Sequence, residues 1–417
     1  MLNEVIDSGV LSAFIGAQGK LFLGGQKVRQ FESRWSEKFN QEFSISVNSW
    51  TSGLIACIGA ADVGPGDEVI VSPYTMSASA VCPLFYGAVP VFADIDEETF
   101  NLNPVSVEEK ITERTKAIVV VHLFGHPAPM NEITAIGKKH NIAVIEDAAQ
   151  APGATYGGKP VGAIGDMGGF SFNFHKHIHT GEGGMIVTNN EKLAQKCQRI
   201  RNHGENASQD LSEDELINSF GSNLRMTELQ AAIGTVQLDK LDELLETRNQ
   251  LADYLAEKLS KIPGLTPQLV KPDCTHARYV FSLKFNAAEF GCSRTAFARA
   301  VAAELPDPGT AEEVVFAEGY INPLYRLPIF QKRAGMGVKH APLAELSEDF
   351  YADGQCPVAE RMFEQEMLIS PLIREPLTTT DMDDIVLAIQ KCAERVSELE
   401  DWGDSGEKVT LVDHASR

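Results

Sequence analysis

The chain lacks the features that mark a membrane protein or a disulfide-bonded secreted protein. It has no apolar run of about 18 residues, the length that a membrane-spanning helix needs. Its start, Met1-Leu-Asn-Glu-Val-Ile-Asp, has no basic segment and no long apolar run, so we expect no signal peptide. The seven cysteines are scattered and form no CxxC pair, which favours reduced thiols in a cytoplasmic protein.

Basic charge and a dinucleotide fingerprint are also missing. With 36 Lys and Arg against 58 Asp and Glu, the net charge is −22. Nucleic acid is therefore not expected as a partner, because phosphate backbones are bound by basic faces. Gly181-Glu-Gly-Gly184 lacks the GxGxxG spacing. A small anionic substrate stays possible if its site gathers N–H donors.

Short apolar runs that alternate with helical stretches fill residues 45 to 190. These runs are mostly β-branched and continuous, which is typical of strands buried on both faces. We therefore predict an α/β fold with a mostly parallel central sheet wrapped by helices. The predicted strands are 68–72, 89–93, 117–122, 142–146, 169–172 and 185–188, and the predicted helices are 52–61, 77–86, 104–111 and 131–140.

The pattern changes after residue 190, and it indicates a smaller C-terminal α/β domain. We predict helices at 191–201, 226–261, 293–304 and 378–400 and a strand at 278–285. The expected division is a large domain at 1–245, whose N-terminal residues could pack with the small domain, and a small domain at 246–400. A polar tail at 401–417 follows.

One lysine stands in an unusual setting. Lys176 lies among aromatic and histidine residues, after the strand that ends near Phe172 and before the glycine-rich turn at Gly181. A partly desolvated amine has a lowered pKa and can act as a nucleophile and a proton shuttle. Asp147 ends a buried apolar strand 29 residues upstream, where a carboxylate needs a partner. A lysine that forms a Schiff base and a carboxylate that faces a ring nitrogen are what a pyridine cofactor needs.

A phosphate cradle is expected in front of the first helix of the sheet region. Thr51 and Ser52 precede an apolar helical stretch, and a helix N-terminus suits an anion. An ordinary helix cap would explain the same residues. Ser171 can donate to the same phosphate, and Gln150, one helical turn beyond Asp147, can reach the hydroxyl of the cofactor ring.

Three histidines flank Lys176 and raise the question of a metal. On a strand, His175, His177 and His179 would share one face. No carboxylate or cysteine cluster completes such a site, so we expect no metal. We expect these side chains to line the pocket or to pack beneath it.

At this point the chain resembles a known family, the pyridoxal 5′-phosphate (PLP)-dependent sugar aminotransferases of fold type I (the DegT/StrS group). The resemblance covers roughly residues 9 to 395, with the motifs in the order of the family. They are Asn48-Ser-Trp-Thr-Ser-Gly-Leu, Gly64-Pro-Gly-Asp-Glu-Val-Ile-Val, Gly87-Ala-Val-Pro-Val-Phe-Ala-Asp, Thr115-Lys-Ala-Ile-Val-Val-Val-His-Leu-Phe-Gly, Glu146-Asp-Ala-Ala-Gln-Ala, Phe170-Ser-Phe, the segment from Lys176 to Gly184, Arg201-Asn-His-Gly and Gly221-Ser-Asn-Leu-Arg-Met-Thr-Glu-Leu-Gln-Ala-Ala.

The resemblance implies the PLP transferase fold type I, PLP as cofactor and a role for each matched residue. Lys176 falls on the Schiff-base lysine and Asp147 on the partner of the pyridine nitrogen. Gln150 falls on the glutamine near the ring hydroxyl, and Thr51, Ser52 and Ser171 fall on phosphate-binding positions. Asn223 falls on an asparagine that reaches the phosphate from the neighbouring subunit, which implies a homodimer with a shared active site.

Two residues depart from the pattern of the family, and the start of the chain is short. The family usually has glycine where Trp50 stands, beside the phosphate. It has an aromatic residue or histidine where Met76 stands, although a thioether can still pack on the cofactor ring. The chain begins close to the family's Asp-Ser-Gly segment, so we expect a short preceding stretch to be missing.

The resemblance implies transfer of an amino group from L-glutamate or L-glutamine to a keto sugar, which we expect to be nucleotide-linked. We expect substrate contacts from His175, His177, Asn322, Tyr325 and Arg326, on loops that include 202–216 and 320–333. Two enzyme alternatives stay open, a keto-cyclitol aminotransferase and a sugar dehydratase, although family dehydratases carry histidine at the position of Lys176. A non-catalytic binding or regulatory protein is a further alternative, and an intact Lys176 and Asp147 disfavour it.

Overall fold

The structure is a computed structural model that describes residues 1–17, 19–204, 211–306 and 315–399. In these residues the strands form two larger sheets and a two-stranded antiparallel sheet of Thr155–Tyr156 and Lys159–Pro160. The strands in chain order are β1 (Phe43–Val47), β2 (Glu68–Val71), β3 (Val89–Phe92), β4 (Thr115–Val121), β5 (Ala143–Asp147), β6 (Thr155–Tyr156), β7 (Lys159–Pro160), β8 (Met167–Ser171), β9 (Gly184–Thr188), β10 (Leu265–Pro267), β11 (Phe281–Phe285), β12 (Ala317–Glu318) and β13 (Met367–Ser370).

Helices cover the sheets and join their strands. In chain order they are α1 (Leu2–Ser8), α2 (Gln26–Phe39), α3 (Trp50–Ala60), α4 (Ala78–Val81), α5 (Pro104–Glu109), α6 (Met130–His140), α7 (Glu191–Arg201), α8 (Glu213–Leu216), α9 (Glu228–Leu259), α10 (Ala287–Phe290), α11 (Arg294–Glu304), α12 (Pro328–Gln331), α13 (Pro357–Arg361) and α14 (Thr379–Glu394).

The central sheet has seven strands in the order β1-β9-β8-β5-β4-β2-β3. Strands β8, β5, β4, β2 and β3 run parallel, whereas β9 is antiparallel to both of its neighbours. The α/β class with a mostly parallel sheet is confirmed. All six strands predicted for this region are present, and β1 at the edge of the sheet was not predicted. The parallel strands end at one edge, where Asp147 pairs in register with Val121 on one side and Gly169 on the other.

The second sheet is antiparallel throughout, in the order β10-β11-β13-β12. Its core includes Leu255 from α9, Phe281 from β11 and Ile385 from α14. The first half of α9 instead packs Leu238 and Leu241 with the aromatic side chains of α2. Because α9 runs unbroken through residue 245, one helix contributes to both cores. The division into domains at that residue stays a prediction.

Two predicted helices end early for identifiable reasons. The helix expected at 77–86 is α4 followed by a 3₁₀ turn at Cys82–Tyr86, because Pro83 has no N–H for an α-helical hydrogen bond. The terminal helix begins at Thr379 and ends at Glu394, with a 3₁₀ turn at Val396–Glu398. Part of the predicted loop 202–216 (residues 205–210) and the predicted tail 401–417 lie outside the described residues.

None of the helices in the described ranges is both long and apolar enough to cross a membrane.

A buried carboxylate anchors the middle of the central sheet. Glu146 on β5 has no exposed surface, and its oxygens accept hydrogen bonds from the backbone N–H groups of Gly162 (2.7 Å) and Gly165 (2.6 Å). His122 accepts a hydrogen bond from Ala128 N at its Nδ1, so its Nε2 carries the proton and donates to Glu146 at 2.9 Å. Glu146 therefore ties the loop before β8 to the strand that carries Asp147.

Replacing Glu146 should destabilise the fold strongly. Glu146→Ala leaves three buried donors without their acceptor, so we expect the free energy of unfolding to fall by about 3 kcal/mol. The measurement is the midpoint of urea unfolding. Glu348→Ala is the matched control, because the side chain of Glu348 is 95% exposed, and its midpoint should stay close to wild type. Equal midpoints for the two variants would contradict this account.

Candidate active site

A cavity of about 180 Å³ opens at the edge where the parallel strands of the central sheet end. It collects hydroxyl, amide, carboxylate and amine groups from four connections of the sheet. The polar lining residues are Ser49, Thr51, Thr75, Asp147, Gln150, Ser171, Asn173, His175, Lys176 and Glu182. Three surface grooves are larger, at about 550, 480 and 360 Å³, but none of the three contains Lys176 or Asp147. The sequence-predicted residues therefore converge on the smaller cavity.

Lys176 lies in the turn between β8 and β9, on the wall of the cavity. Its backbone N–H donates to Asn173 O at 3.0 Å, and its Nζ lies 4.4 Å from the centroid of the Tyr279 ring. Burial lowers the pKa of the Lys176 amine to about 8, against the opposing effect of the charge on Asp147. The amine is therefore partly neutral near pH 8, as a nucleophile or proton shuttle requires.

Asp147 ends β5 and is 6% exposed. Its Oδ1 accepts hydrogen bonds from Trp50 Nε1 (2.7 Å) and Ala149 N (3.2 Å), and its Oδ2 accepts one from Ser79 Oγ (2.8 Å). These three donors offset the cost of placing a carboxylate inside the sheet.

The N-terminus of α3 points at the same cavity and forms an anion cradle. Ser49 caps the helix, and its Oγ accepts a hydrogen bond from Ser52 N at 3.1 Å. The Ser52 hydroxyl lies 3.0 Å from the Ser49 hydroxyl and is not among the groups that line the cavity. Thr51 is exposed at the cavity, and Ser171 lies on its wall. The helix cap and the anion site therefore coexist, since the cap uses Ser49 and Ser52 and leaves Thr51 to the cavity.

Sequence reasoning missed Ser49 and did not predict the contact that Trp50 makes with Asp147. Ser49 lines the cavity, and the signal that could have found it is a serine directly before an apolar helix with a second serine three residues later. Trp50 lines the cavity, but most of its indole is directed away from solvent. It turns inward, is 4% exposed and reaches Asp147.

Both the oxygen and the nitrogen of the Gln150 side-chain amide form hydrogen bonds. Its Oε1 accepts a hydrogen bond from Phe124 N at 2.6 Å, and its Nε2 donates to Tyr320 Oη at 2.9 Å. Tyr320 was expected only as the first residue of a loop, and nothing local in the sequence links it to Gln150. Met76 lies at the rim of the cavity and is 57% exposed, which leaves its thioether available to a ring.

Three of the expected substrate residues are not brought to the cavity. Tyr325 is fully buried against Phe92, and its hydroxyl donates to Glu360. Arg326 forms ion pairs with three carboxylates, those of Asp353, Glu360 and Glu364. Asn322 is half-buried and does not line the cavity. Tyr325 and Arg326 serve the packing of the segment around α12, whereas the buried Asn322 Oδ1 has no hydrogen-bond partner among the described residues.

Of the two histidines expected to contact substrate, only His175 lines the cavity. His177 is 5% exposed and packs beneath the turn, where its Nε2 lies 2.7 Å from Ala277 O. The histidines do not share the face of a strand, because β8 ends at Ser171 and residues 172–183 form turns. No group of three potential metal ligands is found among the residues that the structure describes.

Asn223 lies away from the cavity of its own chain. It is exposed, and its Oδ1 accepts a hydrogen bond from Arg225 Nε at 2.8 Å. Asn48 Nδ2 donates to the Asn223 backbone oxygen at 3.4 Å. The contact of Asn223 with the phosphate in a neighbouring subunit stays a prediction.

The cavity fits PLP in the chemistry of its groups. An amine with a lowered pKa, a buried carboxylate and a helix N-terminus with free hydroxyls are the groups that would hold the aldehyde carbon, the ring nitrogen and the phosphate. One more polar atom on the wall, Asn173 Oδ1, is buried and has no hydrogen-bond partner among the described residues. An unpaired buried acceptor of this kind is costly unless something else occupies the cavity.

The comparisons with known proteins agree with this geometry. The model of the DegT/DnrJ/EryC1/StrS aminotransferase family matches residues 14–390. The dTDP-3-amino-3,6-dideoxy-alpha-D-galactopyranose transaminase of Aneurinibacillus thermoaerophilus is 40% identical over 69% of this chain and 75% of its own length. The L-glutamine:scyllo-inosose aminotransferase of Streptomyces griseus is 31% identical over 95% of this chain and 92% of its own.

A solved structure shares the whole architecture. The aminotransferase from Psychrobacter cryohalolentis superposes with a TM-score of 0.80 at 31% identity and covers 95% of this chain and 96% of its own. With a family model that spans nearly all of the sequence and a cavity that holds the expected lysine and aspartate, this chain belongs to the DegT/DnrJ/EryC1/StrS aminotransferase family and is a PLP-dependent aminotransferase.

Proposed function

We propose that this chain moves an amino group from L-glutamate or L-glutamine to the keto group of a nucleotide-linked sugar, with Lys176 as the catalytic residue. The observation that carries the proposal is the amine of Lys176, whose pKa is lowered to about 8 in the same cavity as the buried carboxylate of Asp147. A permanently charged lysine could not attack a carbonyl, whereas this one is partly neutral near physiological pH.

Lys176 has two tasks in this proposal. Its Nζ would hold the cofactor and, when free, would take a proton from the substrate carbon and return it. A group with a pKa near the working pH is the most effective at such transfers. PLP, when bound, supplies an electron-withdrawing ring that makes the substrate carbon acidic. Tyr279 lies against the amine and limits the directions in which it can move.

The other predicted residues position the cofactor. Asp147 would face the ring nitrogen, Gln150 the ring hydroxyl and Met76 one face of the ring. Thr51, Ser52 and Ser171 would bind the phosphate with the N-terminus of α3, and Ser49, as the cap of that helix, joins them. His175 is the one expected substrate residue of this chain that lines the cavity.

Two acceptor classes have support among the relatives. The Aneurinibacillus enzyme is named for a dTDP-linked amino sugar, and the Streptomyces enzyme for a cyclitol, scyllo-inosose. We favour the nucleotide-linked sugar because the identity to that relative is higher. The greater coverage by the inosose enzyme keeps a keto-cyclitol as the second candidate.

We also propose a cytoplasmic homodimer in which Asn223 reaches the active site of the partner subunit. Asn223 is exposed and lies apart from its own cavity. Apolar side chains are exposed along the N-terminal segment, including Ile6 and Leu11, as a surface covered by a second subunit would be. The seven cysteines are free, which suits a reducing compartment.

A substrate screen tests the acceptor. We expect the holoenzyme to convert a nucleotide-linked 3- or 4-keto sugar into its amine with glutamate or glutamine as donor. Mass spectrometry of the product separates replacement of the keto oxygen by an amine from the loss of water by a dehydratase. Amination of inososes alone would establish the cyclitol alternative, and loss of water without amination would refute transamination.

Removing the amine of Lys176 should abolish activity. We expect Lys176→Ala to lose at least about a thousandfold in kcat and to show no cofactor adduct after borohydride trapping, because no other amine replaces its proton transfer. Lys261→Ala is the control, since Lys261 is 65% exposed and forms a surface ion pair with Glu257. Retention of the adduct in Lys176→Ala would refute the assignment.

The uptake of PLP should report the lowered pKa of Lys176. Only the neutral amine attacks, so the rate of uptake by the apo protein should rise about tenfold per pH unit below pH 8 and level off above it. Stopped-flow absorbance between pH 6 and 10 measures the profile. A rate that keeps rising to pH 10 would show an amine with an ordinary pKa.

A further inference from the structure

The partners of Asp147 include a side chain with no assigned role in the cavity, that of Trp50. Its Nε1–H donates to Asp147 Oδ1 at 2.7 Å, while Ser79 Oγ donates to Oδ2 at 2.8 Å. Both donors are neutral, and each holds a different oxygen of the carboxylate. Together they fix the rotation of the carboxyl group about its Cβ–Cγ bond.

The fold leaves space for the indole of Trp50 in one orientation. Glycines occupy positions where a side chain would meet it: a Cβ at Gly53 would lie 2.5 Å from Trp50 Cε3, and a Cβ at Gly169 would lie 2.2 Å from Trp50 Cζ3. A Cβ at Gly184 would lie 2.7 Å from the backbone N of Trp50. The ring is therefore held between α3, β8 and β9, and its N–H has one direction.

Position and burial make the contact rigid. Trp50 is the first residue of α3, and the Ser49 cap fixes the backbone at that point. The indole is 4% exposed and the carboxylate of Asp147 is 6% exposed, so bulk water competes little for this hydrogen bond. The same helix end that forms the anion cradle therefore also holds the carboxylate.

We propose that Trp50, together with Ser79, is a positioning residue that aims the carboxylate of Asp147 at the ring nitrogen of the cofactor. This inference rests on the proposed function of Asp147. The indole N–H occupies Oδ1 and leaves the second lone pair of Oδ2 for the ring nitrogen. Without the indole donor, Oδ1 keeps only the longer hydrogen bond from Ala149 N (3.2 Å), so the carboxylate is held less firmly and its contact with the ring nitrogen weakens.

The test compares two buried tryptophans. Trp50→Phe keeps an aromatic ring and removes the donor. Trp35→Phe is the matched control, because Trp35 is fully buried and its Nε1 has no hydrogen-bond partner among the described residues. Equilibrium dialysis of the apo proteins against PLP gives the affinity, and a pH titration of the visible absorbance of the bound cofactor reports the charge on its ring.

We expect Trp50→Phe to bind PLP about tenfold more weakly, the effect of losing one hydrogen bond to a charged group. The midpoint of the absorbance titration should move to higher pH. A ring nitrogen that holds its proton less firmly places less positive charge near the nitrogen linked to Lys176, which then keeps its own proton longer. Trp35→Phe should change neither quantity.

The other outcomes of these measurements would overturn the inference. If Trp50→Phe equals Trp35→Phe in both measurements while wild type binds PLP, the inference fails and the proposed function stands. A weaker affinity without a shifted midpoint assigns Trp50 a structural role only, and also overturns the inference. If Trp50→Phe does not fold, Ser79→Ala, which removes the donor to Oδ2, decides by the same two readouts. Wild-type protein that takes up no PLP refutes the proposed function and the inference with it.

Discussion

The buried carboxylate at the end of a central parallel strand is the constraint that orders the rest of the site. Asp147 sits between β4 and β8, where an unpaired charge would cost several kcal/mol, of the order of 3. Its donors come from α3 and α4, two helices that follow different strands of the sheet. Satisfying this one group therefore brings the N-terminus of α3 to the same edge. The anion cradle and the carboxylate share one set of contacts, so neither can shift without the other.

The opposite wall of the cavity depends on the segment that leads into β11. The turn that carries Lys176 is supported from beneath by His177, which contacts Ala277 O, and from the side by Tyr279. The backbone of that segment is tied in turn to the large sheet, since Ala277 N donates to Gly125 O and Tyr279 N donates to Phe124 O. The residues just before β11 therefore connect the small antiparallel sheet to the turn that carries the lysine.

Sequence patterns located the strands and the local chemistry of the site, but not its long-range contacts. Continuous β-branched runs identify strands buried on both faces. Strand β1 (Phe43–Val47) was missed because serines alternate with its apolar residues and shorten the apolar run. Lys176 and Asp147 stand out because their neighbours are unusual for charged residues. The hydrogen bond between Trp50 and Asp147 spans 97 residues and that between Gln150 and Tyr320 spans 170, and no periodicity encodes either. Arg326 looked available for substrate because its three carboxylate partners come from distant segments.

The charge balance of the cavity also separates the roles of its groups. Lys176 is the one Lys or Arg side chain among the described lining residues, and two carboxylates, those of Asp147 and Glu182, share the cavity with it. The net charge of the chain, −22, repels anions, so a lysine that served to bind an anion would need its full positive charge. Burial instead lowers the pKa of Lys176 to about 8 even though Asp147 opposes that change. We therefore expect the binding of a phosphate to rest on neutral hydroxyls and on the N–H groups at the start of α3, which do not titrate. This division leaves the amine free to exchange its proton, because anion binding does not depend on its charge.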